Sequence, residues 1–292
     1  MQHVQSVLSV SERRACRVME QPRSSHRYRR QPSKDEQRLV KQMLQLAGRH
    51  PRYGYRRIGV LLRQEGWCVN SKRVQRLWRQ EGLQVRQKQR KKRRLGHSGN
   101  GSTRRRARRI NEVWSYDFVH DQTADGKTMR LLPVVDEYTR ECLAIEVERS
   151  FTAQDVVATL RYLFELRGAP KYLRSDNGPE FIAQAVKEWL KASGVATLYI
   201  EPGSPWENAY SESFNSRFRD ECLNRELFGS LPESRVIVED FRLDYNHRRP
   251  HSALDYQTPA AFASVCRKCC SATLRSTCDT PEKEEPLPLL LS

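Results

Sequence analysis

Three strand-like runs follow one another with no helix between them: EVWSYDFVH, MRLLPVVDEYT and ECLAIEVE, joined by short turns at ADGK and near Thr139 and Arg140. This meander limits the possible folds more than any other feature of the chain. After it the apolar spacing changes period. TAQDVVATLRYLFELRG carries Val156, Val157, Leu160, Leu163 and Phe164 on one helical face, KYLRS is a fourth strand, EFIAQAVKEWLKASG a second helix and ATLYI a fifth strand. Three strands followed by α-β-α-β predict an α/β domain over residues 111–263, a mixed sheet flanked by helices. A last helix pair is expected from Pro205 to about Phe228 and from Leu231 to about Asn246.

The first part of the chain reads differently. Residues 1–33 are polar and Arg-rich, with a short helix expected around SERRACRVM. Over residues 34–85 three helices are expected. KDEQRLVKQMLQLAG puts Leu39, Val40, Met43, Leu44 and Ala47 on one face, YRRIGVLLRQEG shows Ile58, Leu61 and Leu62, and SKRVQRLWRQEG turns Val74, Leu77 and Trp78 inward behind a cap at Asn70 or Ser71. The later helix carries Lys72, Arg73, Arg76 and Arg79 outward, the arrangement of a helix-turn-helix that meets phosphates and a major groove. Structural helical hairpins also have basic outer faces, so this pattern alone leaves both readings open. Residues 86–110 then form a basic linker, with Arg90, Lys91, Lys92, Arg93 and Arg94 on one side of GHSGNGS and Arg104, Arg105 and Arg106 on the other.

Charge divides the chain at the same place. Residues 1–110 hold 31 Lys and Arg against 6 Asp and Glu, whereas residues 111–292 hold 21 against 29. A basic first third joined to a mildly acidic remainder predicts one part that grips a polyanion, for which nucleic acid is the natural choice, and another that holds something cationic. A length of 292 residues suits two domains. No apolar run approaches the ~18 residues of a membrane span, and the first residues lack the apolar core of a signal peptide. No membrane association is expected, and a cytoplasmic, nucleoid-associated location is. The cluster CRKCC…C, Cys266 to Cys278, offers one CxxC without a second pair or a nearby His, which argues against zinc.

Three carboxylates concentrate the chemistry. Asp117 is expected in the middle of the first strand, where a charge among Trp, Tyr, Phe and Val faces either water or a functional site. Asp176 follows the fourth strand in RSDNGPEF. Glu212 falls two to three turns into a helix whose start, Ser204, Pro205 and Glu207, fits a capping box. Asn215, Ser216 and Arg219 follow Glu212 at helical spacing along one face. Acids brought together repel and raise each other's pKa unless a cation sits between them. An all-oxygen donor set suits Mg²⁺ or Mn²⁺, and two such ions about 3.5–4 Å apart can drive an in-line phosphoryl transfer.

The segments WSYDF, SDNGPEF and GSPWENAYSESFNSRFRDE resemble the catalytic core of DDE transposases and retroviral-type integrases. The ending YNHRRPHSAL, residues 245–254, resembles the tail signature of second-frame (OrfB) transposases of bacterial insertion sequences, the IS-three type. YGYRRI and GWCVNSKRVQRLWRQEGL resemble that group's helix-turn-helix. The resemblance spans roughly residues 10–263. It implies an RNase-H-like fold and makes Asp117, Asp176 and Glu212 a triad that binds two Mg²⁺ or Mn²⁺ ions. It implies cleavage and strand transfer at the ends of an insertion sequence, with Arg219 and Asn215 on the DNA strand. Its implied partners are element-end and target DNA, further copies of the chain assembled on DNA, and a first-frame (OrfA) product. Two alternatives stay open, an inactive DNA-binding product of a decayed element and a nuclease without joining. Residues 264–292 match nothing in the group and are expected to be a disordered tail or read-through.

Overall fold

A computed structural model describes residues 6–7, 9–28, 33–84, 106–175, 184–199 and 209–276. The chain divides into two compact units, Met1–Val85 and Arg86–Ser292.

The first unit is helical. The expected short helix is α1 (Glu12–Val18), followed by α2 (Arg23–Arg27), and then α3 (Lys34–Arg49), α4 (Tyr55–Gln64) and α5 (Ser71–Gln80). The Ser33 hydroxyl accepts from the Glu36 N–H at 3.2 Å, and the Asn70 side chain accepts from the Lys72 N–H at 2.9 Å, so α3 and α5 start on side-chain caps. Leu39, Met43, Leu46, Ile58, Leu62, Val74, Leu77 and Trp78 form the core. The inward stripe of α3 is therefore Leu39, Met43 and Leu46. Leu44, expected inside, is 45% exposed, because it lies about 100° around the helix from Met43.

The second unit is the expected mixed sheet. Its strands are β1 (Val113–Tyr116), β2 (Val119–Gln122), β3 (Thr128–Asp136), β4 (Cys142–Glu148), β5 (Tyr172–Ser175) and β6 (Ala196–Tyr199). β3 pairs antiparallel with β1, β2 and β4, while β1–β5 and β5–β6 are parallel. Trp114 lies opposite Asp136 and Val119 opposite Leu131, so β1 and β2 meet β3 in one continuous register. They are two halves of a single broken strand. The break falls at Asp117 and Phe118, where the register reaches Pro133, a residue with no N–H for the ladder. Asp117 is thus not in mid-strand, as expected, but in the gap just past the end of β1.

Both faces of the sheet are covered, and successive β3 residues serve opposite cores. Leu132 and Val134 pack with helices α6 (Ala153–Arg167) and α7 (Gln184–Ala192) through Val156, Leu160, Leu163, Val186 and Leu190. Leu131 and Val135 pack on the other face with Phe214, Phe218, Val238 and Tyr245, from α8 (Ala209–Phe218) and α9 (Leu231–His247). Helix α6 begins on a capping box, in which the Thr152 N–H donates to Asp155 at 2.8 Å and Asp155 N–H to the Thr152 hydroxyl at 3.3 Å.

Two expectations need correction. The helix of Glu212 does not run to Phe228: α8 widens into a π-helix, Arg219–Leu223, and ends there. Phe228 is instead buried in the sheet core, and its carbonyl accepts from Ala124 N–H at 2.7 Å. Helix α10 (Pro259–Ser276) also carries ordered structure past residue 263, into the stretch expected to be disordered. Arg267 explains this in part, donating at 2.7 Å to Glu141, a buried carboxylate that also takes Arg167 at 3.0 Å. Residues 277–292 lie outside the described residues.

Candidate active site

The break in the first strand and helix α8 meet at one point. Phe214 and Phe218 seat α8 on the sheet, with their rings 6.0 Å apart. That seating turns Asn215 toward the broken strand, and its Nδ2 donates to Asp117 Oδ2 at 3.1 Å. Glu212 lies three residues before Asn215, so the two share a side of the helix, separated by about 4.5 Å of rise. Asp117 and Asn215 are half-buried, whereas Glu212 is exposed. Beside them, the Arg130 guanidinium lies 4.0 Å above the Phe118 ring, and Phe118 packs on Phe151 at 5.3 Å.

The Oδ1 of Asn215 is buried without a hydrogen-bond partner among the described residues. A buried acceptor next to a carboxylate, with a second carboxylate one turn away, is an oxygen-only donor set that fits a hard divalent cation. Soft ligands are poorly suited here. Burial raises the Cys222 thiol to about 12 and pushes Cys142 up as well, which keeps both protonated. Among the described residues no group of three or more His, Cys, Asp and Glu converges as a metal cage.

Asp176 and its turn, residues 176–183, lie outside the described residues, as do Ser204, Pro205 and Glu207. The approach to Asp176 is described. Arg174, on β5, is buried and donates from Nε to Glu137 at 2.8 Å; the carboxylate of Glu137 is fully buried. This ion pair ties the end of β5 to the end of β3. Sequence reasoning missed it, since Glu137 lies 37 residues earlier.

Arg219 is expected on the Glu212 face, meeting the DNA strand. It is the first residue of the π-helix, and its Nη2 donates to the backbone carbonyl of His120 on β2 at 3.0 Å. The Nδ2 of Asn215, a residue expected on DNA, bonds Asp117. Of the four cations on α5, Lys72 and Arg79 are exposed, whereas Arg73 pairs with Asp35 at 2.7 Å and Arg76 with Glu36 at 2.9 Å. Arg106 is exposed; Arg90, Lys91, Lys92, Arg93, Arg94, Arg104 and Arg105 lie outside the described residues.

The YNHRRPHSAL segment is a clasp. Tyr245 is buried against Phe214, edge-on at 5.0 Å. Asn246 hooks β4 with both ends of its amide, accepting from Cys142 N–H at 2.9 Å and donating to Cys142 O at 2.8 Å. Arg249 is 1% exposed and forks Glu221 of the π-helix with two bonds of 2.6 Å. The middle and the far end of α8 are thereby fixed by a segment that spans the last turn of α9 and the residues after it.

Known proteins resemble this chain over most of its length. The models "Integrase core domain" match residues 107–205 and 193–259, and "HTH-like domain" matches residues 34–92. The insertion element IS407 uncharacterized 31.7 kDa protein of Burkholderia multivorans is 39% identical over 96% of this chain and 98% of its own length. The insertion element IS476 uncharacterized 39.2 kDa protein of Xanthomonas euvesicatoria is 40% identical over 88% and 74%. The putative transposase InsK for insertion sequence element IS150 of Escherichia coli is 27% identical over 72% and 77%. Among solved structures, the HTLV-2 integrase catalytic core domain in complex with magnesium aligns with a TM-score of 0.45 and 18% identity, over 54% of this chain and 99% of that one.

Proposed function

Since this chain belongs to the insertion-element transposases built on an integrase core, we propose that it cuts and joins DNA at the ends of its own element using divalent metal. The observation that carries this is the Asn215–Asp117 hydrogen bond, which brings the helix of Glu212 against the gap in the first strand. Asp117, Glu212 and Asp176 are the residues that would hold the cations, with Mg²⁺ or Mn²⁺ as the fitting ions. When bound, such ions activate an attacking oxygen and steady a leaving one. Asn215 fixes the rotamer of Asp117 and so sets how that carboxylate faces the site. The Arg174–Glu137 pair anchors the strand that delivers Asp176.

The basic first unit offers Lys72 and Arg79 to phosphates, and the arginines of residues 86–110 are further candidates for phosphate contact. Element-end and target DNA are the proposed partners, with assembly of several copies on DNA and a first-frame product completing end recognition at the nucleoid. Labelled duplexes carrying the terminal repeat test the reading directly. Wild type with Mg²⁺ should nick the end and join it to a second duplex, and Asp117→Asn and Glu212→Gln should do neither while keeping their fold. Nicking without joining would leave the nuclease alternative in place. Normal joining by either variant assigns the chemistry elsewhere.

A further inference from the structure

Helix α8 has a second flank, across from Glu212 and Asn215, formed by Tyr210, Ser213 and Arg217 on successive turns. Arg140, in the β3–β4 turn with φ of 64°, lays its guanidinium 3.8 Å from the centre of the Tyr210 ring. Arg249 lies 5.4 Å from the centre of the Tyr245 ring, which itself meets Phe214 of α8. Three guanidinium groups therefore collect beside one helix flank. Glu221 forks Arg249 and offsets that charge.

Arg217 is treated differently. It is half-buried, and its Nη1 donates to the Ser213 carbonyl at 2.6 Å and to the Ser213 hydroxyl; among the described residues no carboxylate bonds it. Burial, then the charges of Arg249 and Arg140, hold its pKa below the usual arginine value despite the nearby Glu221. A cation drawn partly out of water, bonded only to neutral oxygens and pressed by like charges, costs the free protein stability. An arginine on an open surface escapes that cost by swinging into solvent, but Ser213 holds this one in place. Its Nε and Nη2 stay available in the planar fork that matches a phosphate.

We propose that this flank of α8 is a phosphate-binding site, where Arg217 grips a phosphodiester of bound DNA and the charge of Arg140 adds to the attraction. The site lies about one helix width, ~10–12 Å, from the acid flank. A duplex crossing α8 can meet both flanks at once, since its phosphates recur every ~3.4 Å along each strand. The inference rests on the transposase reading, which supplies DNA as the polyanion.

The test uses the full chain with Arg217→Gln, Arg217→Lys and Arg140→Gln. Binding to a terminal-repeat duplex and to a scrambled duplex is followed by fluorescence anisotropy across a salt series, beside melting temperature and Mg²⁺-dependent cleavage. Arg217→Gln should melt no lower than wild type, because repulsion is relieved. It should flatten the slope of log affinity against log salt by about 0.9, one phosphate contact. Arg217→Lys should restore the slope with incomplete affinity, and Arg140→Gln should lose slope independently, even if Arg217→Gln proves unstable. Weakening on both duplexes assigns the contact to backbone in general; weakening on the terminal repeat alone assigns it to element ends. Unchanged slopes in both Gln variants overturn the site and leave Arg217 as a structural partner of Ser213. Wild type that binds duplexes with the full slope yet never cleaves refutes the transposase reading instead.

Discussion

Asn215 shows how one amide can join two distant parts of a chain, with 98 residues separating it from Asp117. Replacing it by Asp tests the electrostatics of the site. A second carboxylate within ~3 Å of Asp117 raises the pKa of one of the pair. The acids must be ionised to hold a cation, so the acidic limb of the cleavage–pH profile should move to higher pH in Asn215→Asp. Mg²⁺ should also raise the melting temperature of Asn215→Asp more than that of wild type, because the cation relieves a repulsion that the native amide lacks. An unmoved pH profile with an unchanged Mg²⁺ response would place Asn215 outside the metal site. Leu44 and Leu46 teach a related lesson: both suit a helix core, and only the place of Met43 in the stripe decides between them.

The π-helix behind α8 is the element on which the site turns. π-segments store a wide, strained turn and tend to sit at functional sites, and this one is held open by the Arg249 fork on Glu221. Removing one partner of a buried ion pair strands the other charge, at a cost of about 3–5 kcal/mol. Glu221→Met should therefore melt far below wild type, and Glu221→Met/Arg249→Met should recover most of the loss, measured by chemical denaturation. If the fork merely stabilises, cleavage returns with stability; if it aims α8, the double variant stays folded but slow. Asn246→Leu should cost about 2–4 kcal/mol, since it leaves both backbone groups of Cys142 without their bond. The order of strands and helices was legible because period-2 and period-3.6 spacing is written locally. The gap at Asp117 was not, because it depends on Pro133 lying opposite, and register is a property of two strands. Glu221 looked like any exposed helical acid, for its partner comes 28 residues later. Helix α10 could have been read further, as SVCRKCCSATLRS contains no Gly or Pro to stop it.

At the scale of the molecule, most of the positive charge precedes the site acids in the chain. Among the described residues no helix is long and apolar enough to cross a membrane, and the basic excess lies in the first 110 residues. Lys72→Gln/Arg79→Gln should weaken binding to all duplexes alike and reduce the salt slope by about 1.8, two contacts, while the Mg²⁺-dependent rise in melting temperature stays that of wild type. A loss limited to the terminal repeat would instead make these residues readers of base sequence. The clasp also has a consequence in time. Chains emerge from the ribosome at about 5–20 residues per second, so residue 212 appears roughly 2–7 seconds before residue 245. Through that interval a nascent chain already carries the acids of the site, but the segment that seats their helix has yet to be made. Cutting DNA should thus be deferred until translation has passed residue 254, and a frameshift or premature stop between residues 212 and 254 should yield a product that retains every acid and cannot use them.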